Sequence, residues 1–373
     1  MTARLPLARP DTGAAEAEAV AAVLASGWLG RGEQTERFER AVAERTGADH
    51  AVAVATGTAA LHVAVMALGL GPGDEVIVPS LTYAATHQAI AATGARPVFA
   101  DIDPDTWCLD PVHAATRVGP ATRAIMTVHY GGDAAGRPAV AELANRHGLS
   151  LVEDAAHAFG SIAGPSASSP RVGGTGNPVC FSFDPIKALT CGQGGAITTD
   201  DPDLARRAGE LSDLGLAGGK RRRDQIVLGP GLRYAMSDLN AAIGLAQLEG
   251  FDDRVRRRRE LWRRYAAALS TIDGVVLPRH DPALLVPFLF AVRVLDGRRE
   301  HVRATLDAAG IESGVRYPPG HRQPYFTQFV GPDLRLPVTD VVSDQLLSLP
   351  FFVGMSDTDV DRVVSGVATA LRS

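Results

Sequence analysis

Lys187 stands where an amine could do covalent chemistry. A short apolar run, 179–183, is typical of a buried strand, Pro185 ends it, and Lys187 follows on the loop. In an open α/β sheet, ligands bind beyond the carboxyl ends of the strands, so a lysine placed there indicates Schiff-base chemistry. Ser182 could donate its hydroxyl to an anion, and the glycines in 192–195 would let the backbone approach a ligand closely. Taken alone, Lys187 is better explained as a surface lysine in a glycine-rich turn.

Three further stretches follow other predicted strands and could face the same crevice. Thr56-Gly57-Thr58 precedes a helical run. The free N–H groups and the dipole at such a helix start favour phosphate, although an ordinary helix cap has the same pattern. Asp154 follows an apolar run, where a buried carboxylate needs a cation such as a protonated pyridine nitrogen, unless it only caps the next turn. Tyr83 could stack on a flat ring or simply pack in the core.

A phosphate cradle, a stacking aromatic ring, a buried carboxylate and a lysine are together the set of groups that pyridoxal phosphate (PLP) requires. Seven short apolar runs would supply the strands that position them. Most of these runs are separated by helix-like stretches such as 58–68, 86–93 and 138–147, and two more helices are predicted at 12–26 and 35–46. This alternation predicts an α/β fold with a mostly parallel seven-stranded sheet covered on both faces. The runs are 51–55, 76–78, 97–100, 124–128, 149–153, 179–183 and 196–199.

The C-terminal part of the chain predicts a smaller α/β domain. A long helical pattern runs from Ser237 towards Tyr265 and carries many arginines within 254–264. Such a run could be a nucleic-acid arm, but acidic residues interrupt it, and a solvated helix face that joins two domains fits better. The later elements are a strand at 288–294 and helices at 299–309 and 357–372. We therefore predict a large domain at 1–254 and a small one at 255–373.

Composition limits the classes of protein that the chain could be. Hydrophobic residues make up 46% and charged residues 21%, which is typical of a globular protein. The formal net charge of −5 gives no general attraction to nucleic acid. The three cysteines have no paired spacing, which argues against disulfides and cysteine metal sites and suits a reducing compartment. No signal peptide or membrane span is apparent, so we expect a cytoplasmic protein without a membrane, nucleic-acid or metal partner.

Several motifs occur together in a specific order. They are Thr56-Gly57-Thr58-Ala59-Ala60-Leu61, Val128-His129-Tyr130-Gly131, Glu153-Asp154-Ala155-Ala156-His157, Ser182-Phe183 with Lys187, Gly192-Gln193-Gly194-Gly195 and Ser348-Leu349-Pro350. With these motifs, the chain resembles the DegT-type (DegT/StrS) nucleotide-sugar aminotransferases, a fold-type I PLP family. The resemblance runs from about residue 27 to about residue 349.

The resemblance implies PLP as cofactor and a role for each matching residue. Lys187 would hold the cofactor covalently, Asp154 would pair with the ring nitrogen, His157 would lie near the ring hydroxyl, Tyr83 would stack on the ring, and Gly57, Thr58 and Ser182 would bind the phosphate. The family forms homodimers whose partner subunit completes each site. Arg233 occupies the position of a family Asn that reaches the partner's phosphate, and it could still bind phosphate. Ala235 replaces a family Arg, and Gln193 replaces the usual Glu.

The implied reaction is transfer of an amino group from glutamate, or sometimes glutamine, to a nucleotide-linked 3- or 4-keto sugar. Freed Lys187 would move a proton between the donor and the cofactor. An amino-cyclitol aminotransferase remains open. A PLP-binding regulatory protein without turnover is a further alternative, which the intact Lys187 and Asp154 disfavour. A PLP-dependent sugar dehydratase is disfavoured, because those enzymes have His where this chain has Lys187. A nicotinamide dehydrogenase is disfavoured because the glycine run 69–73 precedes a strand. The basic run 220–223 could bind the substrate diphosphate.

Overall fold

A seven-stranded sheet forms the centre of the protein. The structure is a computed structural model that describes residues 4–217 and 224–372. The strands of this sheet are β1 (His50–Val54), β2 (Glu75–Pro79), β3 (Arg96–Ala100), β4 (Thr122–Val128), β5 (Ser150–Asp154), β6 (Val179–Ser182) and β7 (Gly195–Thr199). All the predicted strands are present, with ends that differ by about two residues or fewer, as expected for sequence-based boundaries.

The strand order is β1-β7-β6-β5-β4-β2-β3. Strand β7 runs antiparallel to both of its neighbours, and every other pair in the sheet is parallel. The predicted mostly parallel α/β sheet is therefore confirmed. Parallel strands need crossover connections, which helices provide except between β5 and β6, where residues 155–178 form no helix.

Helices cover both faces of the sheet. Along β2, Val76 and Val78 pack in one apolar cluster with α3 and α4 residues, whereas Ile77 packs in another that includes Val140 and Leu143 of α6. Alternate side chains of a strand point to opposite faces, so this division shows that both faces are buried. The helices are α1 (Ala14–Ser26), α2 (Glu33–Thr46), α3 (Gly57–Ala67), α4 (Ala84–Ala92), α5 (Pro111–Thr116), α6 (Arg137–His147), α7 (Pro202–Ser212), α8 (Asp238–Glu249), α9 (Phe251–Leu269), α10 (Arg299–Ala308), α11 (Pro337–Gln345) and α12 (Asp357–Arg372).

The long helical pattern after Ser237 is two helices and not one. Helix α8 ends at Glu249 and α9 begins at Phe251, so the prediction of a continuous element was wrong at Gly250. At this glycine φ is −99° and ψ is 13°, outside the α-helical region, so the backbone changes direction there. The hydrophobic pattern continues across the break because both helices bury a face, and it therefore conceals the turn.

Two short strands, β8 (Leu216–Ala217) and β9 (Ile226–Val227), pair antiparallel after the large sheet. The C-terminal part contains a small antiparallel sheet, β10 (Val275–Val276), β11 (Phe290–Val294) and β12 (Leu346–Leu349), in that order. Helix α9 links the apolar cluster of this small sheet to the apolar cluster of the large sheet. Val255 packs with the large sheet, whereas Tyr265 packs with β11 and α12. Leu5, near the N-terminus, also packs in the C-terminal cluster. The boundary between 254 and 255 stays a prediction.

Arginines of α9 bind the C-terminal helix. Arg257 and Arg264 pair with Asp357 and Asp361 of α12, at 3.1 and 2.7 Å, and Arg258 is buried. The positive charges of these arginines are therefore largely paired within the molecule, as expected for a helix that joins two parts of the chain. None of the helices in 4–217 and 224–372 is long and apolar enough to cross a membrane.

Candidate active site

A cavity of about 360 Å³ opens beyond the carboxyl ends of the central strands. Every predicted cofactor-binding residue except Arg233 lines it, namely Gly57, Thr58, Tyr83, Asp154, His157, Ser182 and Lys187. The topology explains this convergence, since each of these residues follows or ends a strand of one sheet. A larger groove, of about 760 Å³ between α1, α2 and α8, contains none of them.

One end of the cavity is built to receive an anion. The turn between β1 and α3 carries Thr56, whose hydroxyl accepts a hydrogen bond from the N–H of Ala59 at 3.0 Å. The N–H groups of Gly57 and Thr58 have no acceptor among the residues that the structure describes. Two free amides at the positive end of a helix dipole favour a phosphate group.

Glycine is required where this turn meets the sheet. A Cβ atom on Gly57 would lie 2.6 Å from the Cβ and 2.9 Å from the Oγ of Ser182. A Cβ atom on Gly195 would lie 2.4 Å from the carbonyl oxygen of Thr56. The two glycines therefore bring the free amides and the Ser182 hydroxyl to one small space. This cradle of donors fits the phosphate of PLP.

Asp154 is a buried carboxylate without a cation beside it. It is 4% exposed at the end of β5, and it accepts hydrogen bonds from Thr86 Oγ1 at 2.7 Å and from the N–H of Ala156 at 3.1 Å. No Lys, Arg or His nitrogen of the described chain lies within 4.0 Å of it. Burial raises the pKa of Asp154, while the bond from Thr86 opposes that rise. A cationic ring nitrogen would supply the partner that this carboxylate lacks.

The preceding residue, Glu153, shows the opposite situation. It is fully buried and accepts hydrogen bonds from His129 Nε2 at 2.9 Å, Arg137 Nε at 3.1 Å and Thr175 Oγ1 at 2.7 Å. Burial alone would raise the pKa of Glu153, but the bond from His129 and the nearby positive charges lower it to about 2. Consecutive strand residues point to opposite faces, so Glu153 anchors the back of the strand that presents Asp154.

Lys187 brings its amine into the cavity beside Phe288. Its Nζ lies 4.2 Å from the centre of the Phe288 ring, and its side chain is half-buried. Burial lowers the pKa of Lys187 to about 8, even though the charges of Asp154 and Asp184 favour the protonated amine. A larger fraction of the amine is therefore unprotonated near neutral pH than for an ordinary lysine, which suits a nucleophile or a base.

Aromatic rings form one wall of the cavity. His157 stacks on Phe288, with ring centres 4.1 Å apart, and on Tyr317 at 5.9 Å. Tyr317 also contacts Tyr83, whose side chain is 57% exposed at the mouth. The N–H of Gly131 donates to His157 Nδ1 at 3.3 Å, and burial holds the pKa of His157 well below its usual range. The imidazole is therefore neutral, with its hydrogen on Nε2.

Among the residues at the site that the sequence did not predict are Thr86, Phe288, Arg316 and Tyr317. The last three come from the C-terminal part of the chain, far in sequence from the strand ends that indicated the site. Arg316-Tyr317 immediately precedes Pro318-Pro319, and a residue before proline is biased towards extended backbone. A cation and an aromatic ring next to two prolines were therefore the sequence signal that could have indicated these two residues.

Arg233 does not line the cavity of its own chain. Its guanidinium pairs with Asp213 at 2.9 Å, and its side chain is 62% exposed. The predicted contact with a partner subunit's phosphate stays a prediction. Gln193 lines the cavity, and Ala235 does not. The basic run 220–223 lies outside the described residues.

A mostly parallel sheet of this order with this set of residues at its strand ends defines a fold-type I PLP-dependent transferase. Comparison with known families agrees with this class. The model of the DegT/DnrJ/EryC1/StrS aminotransferase family matches residues 10–368. The chain belongs to this family, and it is an enzyme that transfers amino groups. The predicted resemblance is confirmed.

Solved structures of sugar aminotransferases are closely similar. DesV of S. venezuelae is 37% identical, with 100% of each chain covered and a TM-score of 0.91. DesI, studied in the presence of its TDP-sugar product, is 33% identical over 100% of this chain and 94% of its own, with a TM-score of 0.88. A Streptococcus pneumoniae protein assigned as a sugar aminotransferase, Spr1654, has a PLP form that is 26% identical over 99% of each chain, with a TM-score of 0.91. The family and these structures imply PLP as the cofactor.

Proposed function

We propose that this protein uses PLP bound at Lys187 to move an amino group from glutamate or glutamine to a nucleotide-linked keto-sugar. The observation that carries the proposal is the arrangement within one cavity of free amides, a buried carboxylate without a cation and a lysine amine. The similar protein DesI was studied in the presence of its TDP-sugar product, which supports a nucleotide sugar as the acceptor.

The cavity residues have two kinds of role, ligand binding and proton transfer. Bound PLP supplies an electron sink next to the carbon that carries the amino group. The amine of Lys187, with a pKa of about 8, can accept and return a proton near that carbon at neutral pH. Asp154, held by Thr86 and Ala156, stabilises positive charge at the ring nitrogen. His157, neutral and stacked on Phe288, keeps water from that side of the cavity.

A homodimer with shared active sites is part of the proposal, since the family is generally dimeric. A short hairpin, β8 (Leu216–Ala217) and β9 (Ile226–Val227), lies on the same stretch of chain as Arg233. The apolar residues Ile226 and Val227 of β9, and Leu228 just after it, are 62%, 68% and 61% exposed. A second copy of the chain would cover such a patch, and it would bring Arg233 towards the partner's site. We also propose a cytoplasmic location, because the three cysteines are free.

The test is a transamination assay on purified protein with matched variants. Borohydride reduction should fix the cofactor on the Lys187 peptide, and L-glutamate or L-glutamine should aminate one of a panel of TDP-3-keto and TDP-4-keto sugars. Asp154→Asn keeps the hydrogen bond from Thr86 but removes the charge, so turnover should fall severely with cofactor still bound. Near-normal turnover in this variant would refute the assigned role.

The same assay separates the other functions that the sequence left open. Turnover of a keto-inositol, with none of any nucleotide sugar, would identify an amino-cyclitol aminotransferase. Loss of a sugar hydroxyl without net amino transfer would identify a dehydratase. Bound cofactor that reacts with no amino donor would identify a regulatory protein. Each of these outcomes contradicts the proposed acceptor or the proposed reaction.

A further inference from the structure

Arg258 of α9 is a buried arginine without a carboxylate partner in the described residues. It is 3% exposed, and no carboxylate oxygen within 4–217 and 224–372 lies within 4.0 Å of its nitrogens. By contrast, the preceding arginine, Arg257, pairs with Asp357 at 3.1 Å. Burial lowers the pKa of Arg258 to about 10. Because an unpaired buried charge is unfavourable, other polar contacts must compensate it.

The compensating contacts of Arg258 are to backbone carbonyl groups just before β11. Its Nη1 donates to the carbonyl oxygens of Pro287 and Phe288, at 3.3 Å each. Among the described residues, no other donor forms a hydrogen bond with either oxygen. The guanidinium carbon also lies 5.6 Å from the centre of the Phe351 ring. Arg258 therefore satisfies two buried acceptors that would otherwise be unpaired, which would be unfavourable.

The segment 286–288 is also held by loops that follow strands of the large sheet. Its first N–H donates to the Ser161 hydroxyl at 2.8 Å, and its last N–H donates to the carbonyl oxygen of Gly131 at 3.3 Å. The proline between them has no N–H to donate. The segment is therefore bonded both to the loops around the cavity and to α9, and Arg258 supplies the bonds from α9 to its last two residues.

The side chain of Phe288 extends from this segment into the candidate active site. Its ring centre lies 4.2 Å from Lys187 Nζ and 4.1 Å from the ring centre of His157. Phe288 is 2% exposed, so its ring keeps water from that side of the amine. We propose that Arg258 is a positioning residue that holds the Phe288 ring against the Lys187 amine through the two carbonyl groups. The inference rests on the proposed function, in which this amine holds the cofactor and moves the proton.

The proposed effect of Arg258 on the amine is one of position and not of charge. The charges that shift the pKa of Lys187 belong to three other residues, Asp154, Asp184 and Arg316. Burial has a larger effect than any of these charges, and it lowers the pKa. If the Phe288 ring moved away, water would reach the amine, and the pKa of Lys187 would rise towards its ordinary value of 10.5.

The experiment compares Arg258→Met and Arg258→Lys with the control Arg257→Met. Arg257 is the neighbouring arginine of α9, and it pairs with α12 and not with the segment 286–288. Competitive acetylation of the cofactor-free full chain measures the pKa of Lys187, and circular dichroism checks the fold. Arg258→Met leaves both carbonyl groups without a donor, so we expect it to raise the pKa of Lys187 from about 8 to about 9 or above. Arg258→Lys can donate to one carbonyl group and should recover part of the change, and the control should match the wild type.

A double variant separates positioning from general destabilisation. Phe288→Leu should also raise the pKa of Lys187, and adding Arg258→Met to it should change the pKa little further, because the ring that Arg258 holds is already absent. In the holoenzyme, Arg258→Met should lower kcat with glutamate by about tenfold or more while KM changes less than about twofold, since the variant disturbs the proton-transfer amine.

Three results would overturn the inference. They are an unchanged pKa of Lys187 in both Arg258 variants, complete recovery by Arg258→Lys, which would indicate an effect of charge, and additive shifts in the double variant. If Arg258→Met does not fold, Arg258→Lys carries the test, and its Lys187 pKa must lie above the wild-type value. If borohydride fixes no cofactor on Lys187, the proposed function fails, while the acetylation of Lys187 still tests the role of Arg258.

Discussion

The amine of Lys187 should titrate far below an ordinary lysine in the cofactor-free protein. Burial lowers its pKa from 10.5 to about 8. At pH 7.5 about a quarter of an amine with this pKa is unprotonated, against about a thousandth for an unperturbed lysine, so its reactivity should be roughly 200-fold greater from ionisation alone. The chain has two lysines, Lys187 and Lys220, and each peptide can be followed separately.

The same burial costs stability while the cofactor is absent. A pKa of about 8 in the folded state, against 10.5 in the unfolded chain, corresponds to about 3 kcal/mol at about 1.36 kcal/mol per pKa unit. The folded state binds fewer protons than the unfolded state between these values. The penalty is therefore complete below pH 8 and disappears as the pH rises through 10.5. Lys187→Met, which keeps the length without the charge, should stabilise the cofactor-free protein by up to about 3 kcal/mol at pH 7.

The assay is competitive acetylation with acetic anhydride between about pH 6 and about pH 11, with quantification of both lysine peptides by mass spectrometry. Urea unfolding of the cofactor-free wild type and Lys187→Met measures the stability difference. Asp154→Asn serves as a control of the electrostatics, because the Asp154 charge raises the pKa of Lys187 and its removal should lower the midpoint further. A Lys187 midpoint near 10.5 with equal stability of the two proteins would refute the reasoning.

Three further predictions concern the groups around the site. Glu153→Gln should remove a pH-dependent stabilisation, because the low pKa of Glu153 stabilises the fold fully above pH 4.5. In urea unfolding of the wild type, about 2 kcal/mol of this stabilisation should be lost between pH 7 and pH 3. An identical dependence of stability on pH in both proteins would contradict this. Gly57→Ala should cost about 1–3 kcal/mol and weaken PLP binding in fluorescence titrations, because its Cβ would lie 2.6 Å from Ser182. Mixing Lys187→Ala with Arg233→Ala should restore up to about a quarter of wild-type activity through hybrid dimers if Arg233 acts across the interface, and no recovery after verified subunit exchange would count against a shared site.

The strands and the residues at their ends could be predicted because both leave local signals. Lys187 and Asp154 each follow a short apolar run, and a parallel sheet brings such strand ends together whatever lies between them in sequence. The break at Gly250 could not be predicted with the same means, since the burial pattern is continuous through it. Phe288 and Tyr317 reach the cavity only through packing between the C-terminal part and the sheet. Such long-range contacts leave no periodic signal in the sequence.

The charged groups of the site differ in a way that separates structural from functional residues. Glu153 is fully buried and has four donors of its own, including the cation Arg137, so its charge is compensated within the chain. Asp154, the next residue, has only neutral donors, and Arg316 has no anion in the described chain. Folding alone does not favour such unpaired charges, because burial without a counter-charge is unfavourable. The unpaired charge of Asp154 fits a cationic ring nitrogen as its ligand group, and the unpaired charge of Arg316 in the same cavity has the opposite sign. Removing either charge should therefore affect ligand binding or turnover more than it affects the stability of the cofactor-free protein.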